Sequence, residues 1–183
     1  SRSPSGRGRA RPFSPGELPG PALGGGTQPG RVGPGGELVL DPTGEPVRAA
    51  DLTIGSIAHI MPEGIEETEH PLDEQAKAAV LLMRLNPENL NEESLAGSYQ
   101  GIVAYSKICT HMGCPVALYE QTTHHLLCPC HQSTFDVTDN CKVIFGPAKR
   151  PLPQLPITVD DEGYLVARGP LNGAPGPSFW ERG

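Results

Sequence analysis

No run in these 183 residues approaches the roughly 18 to 20 apolar residues that a bilayer crossing needs. The longest apolar stretches, Ala78–Met83 and Leu126–Leu127 with their neighbours, are far shorter, so a soluble chain is expected. The chain opens on Ser1 rather than Met and lacks the apolar core of a signal peptide, which predicts that a preceding segment has been removed. A basic body is also missing. The formal net charge is -7, and Arg2, Arg7, Arg9 and Arg11 stand in the first twelve residues without an acid, leaving the rest near -11. Nucleic acid is therefore a poor partner, because a phosphate backbone requires a basic face to displace its counterions. A redox or membrane-complex partner stays open. No repeat and no heptad is present, which removes solenoids and coiled coils.

Glycine and proline, by contrast, are plentiful at 23 and 21 residues, a composition of turns and loops rather than long helices. The length suits one domain with a modest core. Residues 1–36 are rich in Arg, Ser, Pro and Gly and cannot bury enough apolar surface to offset their ordering entropy, so they read as a flexible linker. The body is expected over 37–172 and a Gly/Pro-rich tail, with an unassigned Trp180, over 173–183. Glu63, Glu66, Glu67, Glu69, Asp73 and Glu74 form an acidic loop, with His70, that reads as a solvated face.

Periodicity predicts a mostly β protein. Strands are expected at Leu38–Leu40, within Leu52–Met61, at 79–85 where a helix competes, and at Gly101–Ile108. Asn86–Ala96 should be a loop with at most a short helix. Val116–Tyr119 and His125–Leu127 should bracket a turn, and Phe135–Val137 should start another strand. A proline-stiffened loop at 146–156 precedes a closing hairpin of Ile157–Val159 and Tyr164–Ala167.

The chemistry concentrates in residues 109–131, CTHMGCPVALYEQTTHHLLCPCH. Cys109-x-His111 and Cys128-x-x-His131 are two clamps, each offering one thiolate and one imidazole on a tight turn. Zinc would accept two thiolates and two imidazoles in a closed structural site. A [2Fe–2S] cluster in which imidazoles replace thiolates on one iron fits the same donors. Cys114 and Cys130, one in each clamp region, could tie the clamps together, which would explain a ligand count of only two cysteines.

CTHMGC at 109–114, CPCH at 128–131 followed by Gln132-Ser133, and Gly146-Pro147-Ala148 downstream resemble the Rieske iron–sulfur subunit of cytochrome bc complexes. YSKICTH, PVALYEQ and FGPAKRPLPQLPITVDDEGYLVA look like its actinobacterial menaquinol–cytochrome c reductase form. The likeness spans roughly residues 50–170. It implies an antiparallel Rieske-type β-sandwich as base domain with a smaller cluster-binding β subdomain at about 105–150. It implies a [2Fe–2S] cofactor, with Cys109 and Cys128 on the buried iron, His111 and His131 on the outer one, and Cys114–Cys130 as the disulfide. Rieske ferredoxins and oxygenase domains generally lack that pair, and a disulfide points to an extracytoplasmic face.

The implied role is a redox subunit that takes an electron and a proton from menaquinol, through His111 or His131, and passes the electron to cytochrome c. Family members of this type carry membrane helices ahead of the domain. The implied partners are cytochrome b and cytochrome c subunits, with a terminal oxidase possible in a supercomplex. The Rieske small subunit of arsenite oxidase, an oxygenase ferredoxin and a zinc-stapled module are the competing readings. Where the family pattern runs His-Gly-Ser-x-Tyr, this chain has Gln132 for Gly and Phe135 for Tyr. Ser133 keeps a hydroxyl donor and Phe135 cannot donate, so the potential should lie below that of ubiquinol-oxidising relatives, inside the roughly -150 to +300 mV Rieske range. Reduction adds negative charge that favours a protonated imidazole, so the potential should fall as pH rises.

Gly146 and Pro147 lie in a loop expected to cover the cluster, and Lys149 and Arg150 on it are exposed charges that could meet an acidic partner. His124 and His125 are read as solvent-exposed turn residues, His59 as a packed or surface residue, and Cys141 as a free or buried thiol.

Overall fold

The computed structural model describes residues 35–63 and 76–182. Among these, the chain forms β1 (Leu38–Leu40), β2 (Ile57–Pro62), β3 (Val80–Arg84), α1 (Glu92–Ala96), β4 (Ile102–Ser106), β5 (Leu118–Glu120), β6 (His125–Leu127), β7 (Thr134–Asp136), β8 (Lys142–Phe145), β9 (Ile157–Val159) and β10 (Leu165–Ala167). Every strand pairing is antiparallel, giving two four-stranded sheets, β1-β2-β3-β4 and β5-β6-β7-β8, and a β9-β10 hairpin. The mostly β architecture expected from the sequence is what forms. No described helix is long and apolar enough to cross a membrane. The acidic loop with His70 falls largely outside the described residues.

Strand β3 reads VLLMR and β4 reads IVAYS, with no polar alternation, because both faces of these strands are buried. Side chains alternate across a strand, so Leu81, Met83, Val103 and Tyr105 join one core with Cys109, Leu126, Cys128 and Phe135. Val80, Leu82, Ile102 and Ala104 join the other, with Leu38, Ile60, Leu155, Ile157 and Leu165. The first sheet is thus a middle layer between the β9-β10 hairpin and the β5–β8 sheet. Truncating a residue such as Leu82 to Ala there should cost about 2–5 kcal/mol. The segment before β9 runs beside β4, where Ser106 N–H donates to the Pro153 carbonyl and Leu155 N–H to the Ala104 carbonyl, both at 2.8 Å.

Helix α1 starts at Asn91, whose side-chain oxygen accepts from the Ser94 amide at 2.7 Å. The buried Ser94 hydroxyl accepts from the Tyr105 hydroxyl at 3.2 Å and from the Asn140 amide at 2.8 Å, tying β4 to the turn before β8.

Several boundaries differ from the sequence reading. Gly35 and Gly36 are not linker: Gly35 N–H donates to the Ala167 carbonyl at 2.8 Å and Ala167 N–H returns to Gly36 at 3.0 Å. β2 begins only at Ile57, since 49–51 make a 3-10 turn, and β5 begins at Leu118. Val137 starts a 3-10 turn instead of prolonging β7. β8 was not expected at all; it is an edge strand whose Ile144 and Phe145 face solvent, so no alternation marks it.

Candidate metal centre

The two clamps are one backbone device built twice. In the first, Cys109 N–H donates to the Cys114 carbonyl at 2.8 Å and Gly113 N–H to the Cys109 carbonyl at 3.0 Å. In the second, between β6 and β7, Cys128 N–H donates to the Ser133 carbonyl at 2.9 Å and Gln132 N–H to the Cys128 carbonyl at 3.0 Å. Each is a six-residue loop closed at its neck by the same pair of bonds. A disulfide joins Cys114 of the first loop to Cys130 of the second, with Cα atoms 6.5 Å apart.

The necks place Cys109 and Cys128 at the end of the apolar core, buried and free of any disulfide. Burial pushes the Cys109 thiol up, the His111 backbone N–H opposes this, and the neighbouring Cys128 adds to it. The loop tips carry the imidazoles: His111 is half-buried, His131 is exposed, and their rings meet edge-on with centroids 4.7 Å apart. The buried Nδ1 of His111 has no hydrogen-bond partner among the described residues. The sulfurs of Cys114, Cys128 and Cys130 also lie within 4.8 Å of one another, but two of these three are already joined in the disulfide and cannot chelate. Two buried thiols inward, two imidazoles outward and an orphaned ring nitrogen therefore fit a two-metal group with unlike ends.

The buried Ser133 hydroxyl accepts from the Ala148 amide at 3.1 Å, which leaves its own proton free to donate, with the Cys109 thiol as a neighbour. Phe135, fully buried in the same core, has no such proton to give. Gly146 has φ +93°, and a Cβ there would lie 2.5 Å from the Ser133 Cα, so the backbone of the 146–156 loop rests directly on the second clamp. Met112 and Phe145, 50% and 64% exposed, add apolar surface beside the clamps.

Other expected roles change. His124 is half-buried and held on both ring nitrogens, by the Tyr119 hydroxyl at 2.9 Å and the Asn89 amide at 3.3 Å, and His125 is half-buried in β6. Neither is a free turn imidazole: His124 is held between Tyr119 and Asn89, and His125 stands in the sheet opposite Glu120 and Asp136. Arg150 is not a free charge either: its guanidinium donates to the carbonyls of Ala174 at 3.2 Å and Gly176 at 2.8 Å. Cys141 is a buried free thiol as expected, pushed well up by burial. Sequence reasoning missed Thr110, whose hydroxyl donates to the Arg150 carbonyl at 2.6 Å, and Trp180, whose ring touches Gly113. The one available signal for Trp180 was that it is the chain's only tryptophan, set in a Gly/Pro-rich stretch.

The Rieske [2Fe-2S] domain family model matches residues 79–156, which contain both clamps and the covering loop. A protein of Streptomyces lividans named cytochrome bc1 complex Rieske iron-sulfur subunit is 55% identical over 148 residues, covering 80% of this chain and 87% of that protein. One of the same name from Mycobacterium tuberculosis H37Rv is 46% identical over 126 residues, 63% of this chain and 29% of that protein. The chain spans 42% of the Streptomyces coelicolor relative. Among solved structures, the soluble domain of Rieske protein II from Sulfolobus acidocaldarius aligns over 52% of this chain and 63% of that one, at 24% identity and a TM-score of 0.42. The paired loops and the Streptomyces likeness lead to one conclusion: the chain belongs to the Rieske [2Fe-2S] family, among the proteins named cytochrome bc1 complex Rieske iron–sulfur subunits.

Proposed function

We propose that this chain is the electron-transfer subunit of a respiratory quinol–cytochrome c reductase. The observation that carries the reading is the pair of disulfide-joined loops with buried thiols inside and imidazoles at the surface. Cys109 and Cys128 would hold the inner iron and His111 and His131 the outer one. When bound, the [2Fe–2S] cluster supplies a one-electron acceptor.

The chain's own residues supply the rest. The apolar core around Cys109 and Cys128 keeps water from the inner end, and the Ser133 hydroxyl donates toward a ligand sulfur. The surface imidazoles of His111 and His131 are placed to accept a hydrogen bond from a quinol hydroxyl and hold its proton at a ring nitrogen. The Gly146 backbone rests on Gln132 and Ser133 of the second loop, Pro147 follows it in the covering loop, and the disulfide ties the two loops together.

The substrate class proposed is menaquinol, and the partners are cytochrome b and cytochrome c subunits, with a terminal oxidase downstream. Support comes from the names of the actinobacterial relatives and from Phe135 in place of a hydroxyl donor, which suits a low-potential quinol. A disulfide that endures supports an extracytoplasmic face of a membrane complex. The same reading takes 37–172 as the Rieske domain with its cluster-binding part near 105–150, supported by a separate β5–β8 sheet at residues 118–145. The test is low-temperature EPR of the dithionite-reduced protein, then quinol oxidation after reconstitution with a cytochrome b partner. A rhombic Rieske signal and restored turnover are expected; a single bound zinc ion and no signal would end the proposal.

A further inference from the structure

The first clamp is held from outside by residues that the ligand set does not use. The Thr110 hydroxyl donates to the carbonyl of Arg150, and the Arg150 guanidinium reaches on to the carbonyls of Ala174 and Gly176. From there the chain turns back: the Trp180 amide donates to the Pro177 carbonyl at 3.1 Å, and the indole returns to the loop. A Cβ built on Gly113 would lie 2.5 Å from Cζ2 of Trp180, and one built on Gly176 would overlap the opposite edge of the same six-membered ring. The indole is therefore wedged between two glycine backbones, at φ +83° and +72°, with 40% of the residue still exposed. Any side chain at either glycine would expel it.

We propose that Trp180 is a positioning residue for the cluster site, and that residues 174–180, tied down by Arg150, form a fourth wall beside the two clamps and the covering loop. The inference rests on the ligand reading above. A six-residue loop with a glycine near its tip is soft, yet it must hold Cys109 and His111 still to within a fraction of an ångström. The ring fills the space outside Gly113 with rigid, largely apolar surface, so it limits both loop motion and water entry. Such outer partners commonly change metal retention by about 10–100-fold.

The test compares the cluster-loaded full chain with Trp180→Phe and Trp180→Ala. Trp180→Ala is expected to release iron to excess chelator about 10-fold faster. Its midpoint potential should rise, because water admitted at Gly113 stabilises the more negative reduced state. Trp180→Phe, which keeps a ring in the wedge, should restore most of both properties. Iron loss and potential unchanged in Trp180→Ala would overturn the proposal. Should that variant not fold, the wild type decides: the emission of its sole tryptophan must be shielded from acrylamide relative to the guanidinium-unfolded chain, and equal quenching would overturn the wall. Absence of a rhombic EPR signal from the wild type would instead defeat the cluster reading, and this inference with it.

Discussion

Gly113 and Gln132 occupy the same position in two loops of identical backbone hydrogen bonding, and both are left-handed, at φ +83° and +61°. Only the first residue is the one that adopts this conformation without cost. A non-glycine residue there is strained by about 1–2 kcal/mol, while glycine loses about 0.5–1 kcal/mol more chain entropy on folding. Gln132→Gly is therefore expected to stabilise the loaded protein by about 0.5–1 kcal/mol. Thermal melts at a fixed scan rate measure it, and a lowered midpoint would show that the Gln132 side chain has a compensating role.

Phe135→Tyr should raise the midpoint potential and Ser133→Ala should lower it. A net hydrogen bond of about 0.5–1.5 kcal/mol corresponds to about 20–60 mV for one electron. Protein-film voltammetry at one pH gives both values. An unmoved potential in Phe135→Tyr would mean that the new hydroxyl finds another acceptor in the packed core.

Replacing Cys114 and Cys130 together by Ser opens a bridge that spans 16 residues of chain. The expected cost is about 3 kcal/mol from loop entropy. Because both sulfurs lie within 4.8 Å of Cys128, the double variant is the clean test; a single one leaves a thiol free to compete for metal. Denaturation midpoints and iron content after dialysis would report the two effects.

His59, on β2, has a buried Nδ1 without a partner among the described residues, and burial first, then the charge of Lys107, hold its imidazole below the ordinary 6.5. The unfolded chain therefore binds this proton more readily than the folded one. Stability should be full above pH 6.5 and fall as pH drops through that value toward the lower folded-state one. His59→Gln should flatten that part of the profile, measured as melting temperature between pH 7.5 and 5; an unchanged slope would assign it to other histidines.

The metal-binding loops were legible because their chemistry is local: Cys-x-His and Cys-x-x-His fix the donors within a turn, and the fold only has to bring two turns together. Strand β3 was legible as apolar but ambiguous in type, since VLLM buries both faces and shows neither period. β8 was hidden because two of its three apolar residues, Ile144 and Phe145, are exposed while Val143 alone packs on the core, and the turn before it is made by Asn140 and Cys141, both at positive φ without a glycine. His124, in the 120–124 turn, misled because nothing local announces that Tyr119 and Asn89 reach it. Trp180 could not be placed at all, because the loop it packs on lies 67 positions earlier and both its contacts, Gly113 and Gly176, are glycines, which advertise no pocket.

The middle layer has a consequence for how such a chain can change over time. Neighbouring side chains of β3 and β4 belong to different cores, so inserting or deleting one residue there would swap Leu81 with Leu82 and Val103 with Ala104 between interiors of unlike shape. Length drift should therefore collect in the connections, while these two strands keep a fixed count, as a spine from which the redox end and the opposite end can be tailored separately.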